Sequence, residues 1–301
     1  MASPENPQFE LQPPSGGESP APASSDAEPI HPLDNQPLNN ASPSLSAVEQ
    51  SHSTENPVWS GWDVLAVVGL ALVTIFVSQM AILIGAHYLL YPRARLVDLA
   101  QRPILLLISQ FVIDAAVVAY IFLLVEGKYH QPFWPAIRWN WPRQVWAMVA
   151  LGAATYLGLA MLGTLLPMPK ETPFDKLFEN RRDAYLLAII ATTLGPLMEE
   201  LFFRGFFYPV LAKRWGAGWG IVLAALPFAL LHMQQYGYSW GILLLIFGVG
   251  VVCGAVRAVT GSVGASFLVH AGYNGAQMVL FVFVTHGFTR MPKSLWEGWP
   301  G

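Results

Sequence analysis

One cysteine in 301 residues, Cys253, excludes an intrachain disulfide and a cysteine-rich zinc site. Charge is scarce too. Asp, Glu, Lys and Arg make up 12% of the chain and hydrophobic residues 54%, whereas a water-soluble domain carries charge at about 25% of its positions. Basic residues are never clustered, which argues against a nucleic-acid partner and against a polybasic lipid anchor. From Met1 to Pro57 there is no Lys or Arg at all, and the Pro-, Ser-, Asn- and Glu-rich composition has too little apolar surface to offset the entropy of ordering. This reads as a disordered tail. It lacks the basic stretch and short apolar run of a signal peptide, and the remainder lacks the internal repeat of a transporter.

What the chain has instead is a series of long apolar runs, each near the ~20 residues that cross about 30 Å of hydrocarbon. They are Val64 to Leu90, Ile104 to Val125, Val145 to Leu166, a fourth starting near Ala184, then Trp219 to Met233, Trp240 to Ala258 and Val263 to Val284. Trp59, Trp62, Tyr88, Tyr91, Trp134, Trp139 and Trp141 flank them as interfacial anchors. The composition predicts an all-α, polytopic integral membrane helix bundle of about seven transmembrane helices with a disordered N-terminal tail. The expected division is a tail over 1–60, accessory helices and an amphipathic connector over 61–183, a core over 184–286 and a short C-terminal tail over 287–301. Glu171 to Asp183 is expected to lie on the surface as a short amphipathic helix, and Pro196 and Pro227 to kink the helices that contain them.

Ionisable groups inside such runs are expensive, at least ~2.5 to 3.5 kcal/mol each near the bilayer centre, and mark function by default. The last four runs contain Glu199, Glu200, Arg204, His232, His270 and Asn274, with Gln277 one turn on. Glu200 and Arg204 are spaced i,i+4 with the acid first, the favoured order for a helical ion pair. His232 follows Phe228 at the same spacing, and so does Asn274 after His270, so each pair shares a helix face. A carboxylate or imidazole can take a proton from water, and His or Asn can donate to the oxyanion of a tetrahedral intermediate. If Arg204 holds Glu200, then Glu199, about 100° round the helix, remains to serve as base.

Glu199-Glu200-x-x-x-Arg204, Phe228-x-x-x-His232 and His270-x-x-x-Asn274, in that order on successive helices, resemble the three motifs of the CPBP family, also called the ABI family. That family comprises type II CAAX prenyl endopeptidases together with bacteriocin-processing and immunity-related membrane proteins. The resemblance covers roughly Ala184 to His286. It implies an intramembrane endopeptidase in which Glu199 and His232 activate water, His270 and Asn274 hold the oxyanion, and Glu200 and Arg204 orient Glu199. Members have also been described as metalloproteases, and Glu199, His232 and His270 would then be the zinc ligands. No His-Glu-x-x-His segment supports that here, so no cofactor is expected, with zinc the alternative. The implied partners are the lipid bilayer and a membrane-embedded or membrane-associated peptide or protein substrate. The expected localisation is a bacterial cell membrane.

Three other readings are open to the same residues. A rhomboid-like serine protease would use Ser266, but its nearest histidine, His270, lies on the same helix. A non-catalytic scaffold or bacteriocin-immunity-type protein could bind a partner through the same polar cavity. Glu200 and Arg204 could be a structural ion pair alone. Asp114, in the second run and outside the motifs, reads as pairing with a polar neighbour or lining a water path. Gly250-x-x-x-Gly254 reads as a close-packing helix face and Cys253 as a small buried hydrophobe.

Overall fold

The computed structural model describes residues 55–178 and 180–289; the rest of the N-terminal tail, residue 179 and residues 290–301 lie outside the described residues. The apolar runs become helices. α1 spans Gly61–Leu89, α2 Pro103–Phe122 with a π-helical turn over Leu123–Lys128, and α3 Val145–Gly163. α4 (Arg181–Thr192), α5 (Leu194–Glu200), a π-helical stretch Leu201–Phe207 and α6 (Tyr208–Leu231) follow in unbroken succession. α7 (Trp240–Thr260) and α8 (Val263–Val284) complete the bundle, and no strand occurs among the described residues.

Six helical stretches among the described residues are long and apolar enough to cross a membrane, and the one from Arg181 to Leu231 is 51 residues long. Straight, it would reach about 76 Å. It is not straight. Gly216 has φ 83° and ψ 162°, a conformation that a side chain would not tolerate, and a Cβ at Gly220 would meet the backbone of Ala212 at 2.9 Å. Residues eight apart in one helix are separated by about 12 Å, so the chain folds back at Gly216. The fourth and fifth sequence runs are thus the two legs of one helical hairpin, consistent with about seven crossings.

Lipid gives helices no hydrophobic reason to associate, so the bundle relies on close backbone approach and on hydrogen bonds. α3 and α8 make the most extensive pairing. A Cβ at Gly152 would lie 2.0 Å from the Val269 carbonyl oxygen, and one at Gly272 only 2.3 Å from that of Val149. The Gly250 and Gly254 face of α7 packs as expected, against Ala225 and Ile221 of the second leg of α6. Outward-facing side chains such as Leu72 and Phe76 are large, apolar and exposed, as a lipid-facing surface requires.

Two boundaries differ from the sequence reading. Residues 55–60, expected to belong to the disordered tail, are held by specific groups. The Glu55 carboxylate faces Arg257 Nη1 at 2.7 Å and Arg138 Nη1 at 3.2 Å, and the Trp59 indole N–H donates to the Phe206 carbonyl at 2.9 Å while its ring stacks on Phe206. Asp63 then accepts from Ser60 N–H, the Tyr129 hydroxyl and Lys128, tying the start of α1 to the end of α2. The connector before α4 is a 3₁₀ turn, Asp175–Phe178, in place of the expected amphipathic helix. Its Phe174 and Phe178 are buried against Phe281, Phe288 and Tyr236. The Asp175 carboxylate accepts from Thr172 N–H and Asn180 caps α4, which closes the segment too tightly for a helix of its own. Phe288, in the expected C-terminal tail, is part of that packing.

The buried clasp has a measurable weight. Glu55→Gln leaves the fully buried Arg257 guanidinium without its counter-charge, which costs about 3 kcal/mol; a clearly lowered unfolding temperature in detergent is expected, and an unchanged one would show the clasp to be incidental. Gly152→Ala must push α3 off α8 and should cost about 1–3 kcal/mol in the same assay.

Candidate functional site

Pro196 has no N–H to offer and its ring crowds the carbonyl four residues back, so the helix breaks just before it. The break is at Thr193, with φ −125° and ψ −78°. It separates α4 from α5 and re-aims the short segment that ends in Glu199 and Glu200. Pro227, by contrast, sits inside the second leg of α6, where Gly216 is the one non-helical residue.

Glu200 is completely buried and fully engaged. Its Oε1 accepts from Arg204 Nη1 at 2.8 Å and from His270 Nδ1 at 2.9 Å, and its Oε2 accepts from the Ser266 hydroxyl at 2.6 Å. The same hydroxyl lies 2.9 Å from the Cys253 carbonyl, so its single proton is shared between two acceptors. Arg204 directs Nη2 to the Gly250 carbonyl at 2.8 Å, and its guanidinium sits 4.7 Å above the Phe228 ring. The expected pairing of Glu200 with Arg204 is therefore present.

Glu199 occupies a different environment. Its side chain is about one-third exposed, with Oε1 3.9 Å from His232 Nε2 and Oε2 3.7 Å from His270 Nε2. Both distances are too long for direct hydrogen bonds. Each imidazole is fixed through its other nitrogen. His232 Nδ1–H donates to the Phe228 carbonyl at 2.8 Å, which gives the Phe228-x-x-x-His232 spacing its physical meaning, and His270 Nδ1–H donates to Glu200. In their neutral forms both rings then turn an Nε2 lone pair towards Glu199. The Phe228 ring packs edge-on to His270 and tilted against His232, whose other face stacks on Tyr236. Burial pushes the Tyr236 phenol well above its ordinary range, so it stays a neutral wall.

Asn274, predicted to share a face with His270, donates from Nδ2 to the Ala191 carbonyl at 2.7 Å. That carbonyl belongs to the last turn of α4, where the helix break removes its regular partner. One N–H of the amide remains. Five of the six predicted residues thus form one connected group, Glu199 with both histidines and Glu200 with Arg204 and His270, while Asn274, one turn after His270, is bonded to the helix break.

Ser266, weighed as a nucleophile, is fully buried and bonded to Glu200, while His270 turns Nδ1 to Glu200 and not to the hydroxyl. Sequence reasoning missed its supporting role. The signal was there, since Ser266, His270 and Asn274 recur every four residues on one face of α8. Trp59, expected as an interfacial anchor, is instead buried, with its indole N–H on the Phe206 carbonyl.

Glu199, His232 and His270, the zinc ligands of the alternative reading, do not converge as one set among the described residues. Among the described residues, the His, Cys, Asp and Glu atoms that converge within 4.8 Å are those of Glu200, Cys253 and His270; Glu199 and His232 are not in that group. Both Glu200 oxygens are already committed, and a guanidinium beside them opposes a second cation.

Residues 181–276 match the family described as Type II CAAX prenyl endopeptidase Rce1-like. A curated protein of Escherichia coli, named only as an uncharacterized 24.3 kDa protein, is 31% identical over 127 residues, which are 41% of this chain and 58% of that relative. The chain therefore spans somewhat more than half of that relative's length. No solved structure matches. The matched segment contains Glu199, Glu200, Arg204, Phe228, His232, His270 and Asn274 together, so the resemblance to the Rce1-like family falls on the segment that carries the site.

Proposed function

We propose that the chain is an intramembrane endopeptidase that hydrolyses peptide bonds of membrane-associated substrates by water activated at Glu199 and His232. The observation that carries this reading is the placement of one carboxylate between two imidazole Nε2 atoms, at 3.9 and 3.7 Å, with each ring locked through Nδ1. Two hydrogen bonds of about 2.8 Å meeting near a right angle span about 4 Å, so a single water fits between Glu199 and His232 and donates one proton to each.

Hydroxide character then develops on that oxygen, which attacks the scissile carbonyl carbon. The resulting oxyanion needs donors. In its cationic form, with a proton taken up from solvent before substrate binds, His270 donates from Nε2, the second N–H of Asn274 adds another donor, and the Glu200 carboxylate at Nδ1 stabilises the imidazolium. Collapse of the tetrahedral intermediate breaks the C–N bond, and Glu199 returns its proton to the leaving amine. No acyl-enzyme forms. Glu200 and Arg204 act on the chemistry through His270 and through the backbone that carries Glu199.

The donor geometry described above supports glutamate chemistry without a resident metal. The match of residues 181–276 to the Rce1-like family supports a proteolytic activity, the six long apolar helical stretches support a membrane location, and the Escherichia coli relative supports a bacterial one.

Glu199→Gln keeps the shape of the site but removes the base; a loss of about 10²- to 10⁴-fold in cleavage is expected in membranes, at an unchanged unfolding temperature. If neither wild type nor variant cleaves any of a broad panel of membrane polypeptides that both bind, the non-catalytic scaffold reading takes its place. A strong chelator is expected to leave wild-type cleavage intact, and loss restored by added zinc would overturn the metal-free mechanism.

A further inference from the structure

A groove of about 200 Å³ runs between α2 and the α4–α5 segment, lined by Leu107, Phe111 and Asp114 on one side and by Ile190, Leu194 and Met198 on the other. It is lined almost wholly by apolar side chains, and Met198, the residue before Glu199, is among them. Asp114 is its one charged group, and no basic side chain lines it among the described residues.

Asp114 sits eleven residues into α2, about 16 Å from the start of that helix and so deep within the bilayer. A carboxylate at that depth is costly and requires compensation. Gln110 Nε2 donates to Oδ1 at 2.7 Å, and Gln110 is its one hydrogen-bonding partner among the described residues. An amide brings no charge. The groove therefore presents, among apolar side chains, one carboxylate whose hydrogen-bonding partner is a neutral amide.

We infer that Asp114 is a specificity-determining residue that receives a Lys or Arg side chain of the substrate, carried on an otherwise apolar segment lying in this groove. The inference rests on the proteolytic reading above and names the substrate class for it. An isolated basic residue in a membrane segment is itself destabilised, so its pairing with Asp114 relieves both costs at once and fixes the register of the scissile bond against Glu199. The amine of a lipid headgroup has the same chemistry but resides at the interface, not at this depth.

The test is quantitative mass spectrometry of new protein N-termini in membranes of cells making wild type, Glu199→Gln, Asp114→Asn or Asp114→Glu. Termini that disappear with Glu199→Gln are expected to carry Lys or Arg within about one helical turn of the cut. They should fall at least about tenfold with Asp114→Asn and persist with Asp114→Glu, all variants melting alike. Glu199-dependent termini that show no basic residue, or that survive Asp114→Asn, overturn this inference and leave the protease standing. Absence of any Glu199-dependent terminus overturns both.

Discussion

A carboxylate with no exposure inside a lipid-embedded bundle must have every lone pair answered, and Glu200 imposes that requirement on half the molecule. Its three partners come from two elements: Arg204 from the π-helical stretch, and His270 and Ser266, one turn apart, from α8. Arg204 in turn needs the Gly250 carbonyl of α7. The ion pair contributes little net stability, since desolvating two charges offsets most of their attraction. What it contributes is register. Sliding α7 or α8 by one residue would leave a buried charge unanswered, at a cost of several kcal/mol.

The same network sets the chemistry at one remove. Because Glu200 occupies Nδ1 of His270, the Nε2 of that ring faces Glu199; because the Phe228 carbonyl occupies Nδ1 of His232, so does the Nε2 of the second ring. Two imidazoles on different helices are aimed at one carboxylate by groups that never touch substrate. The chain before α1 reaches into this arrangement too. Trp59 holds the Phe206 carbonyl within the π-helical stretch that begins directly after Glu200, and Glu55 anchors that segment to Arg257, one turn from Cys253 on α7.

The bundle and the site were legible in the sequence for the same reason: in lipid, polar residues are so costly that each one is a signal. Seven apolar runs located the helices, and a Glu-Glu-Arg segment and two i,i+4 motifs named the six candidate residues. The fold-back at Gly216 was not legible, because Gly216 stands among ordinary small residues and its positive φ is a property of the packed hairpin. Residues 55–60 were misread for a related reason. Composition reports that a segment cannot form a core of its own, not that Trp59 finds a carbonyl made available elsewhere. The connector failed as a helix because Phe174 and Phe178 point into the bundle, and one buried aromatic pair outweighs weak helical periodicity over so few residues.

The ionisable groups divide by how they are balanced. Inside, Glu200, Arg204 and His270 form a closed set in which each charge is met by another or by a hydrogen bond. Towards the groove, Glu199 and Asp114 form an open one: two acids, one hydrogen-bonded by an amide and the other facing imidazole nitrogens that lack protons in the neutral state. A closed set can persist as architecture with nothing bound. An open set of like charges in low dielectric persists only if something arrives to balance it, a proton or a cation, and protonating Glu199 would remove the base that water activation requires. On the proposed mechanism the His270 imidazolium is one such cation, and a basic side chain of the substrate at Asp114 would be a second.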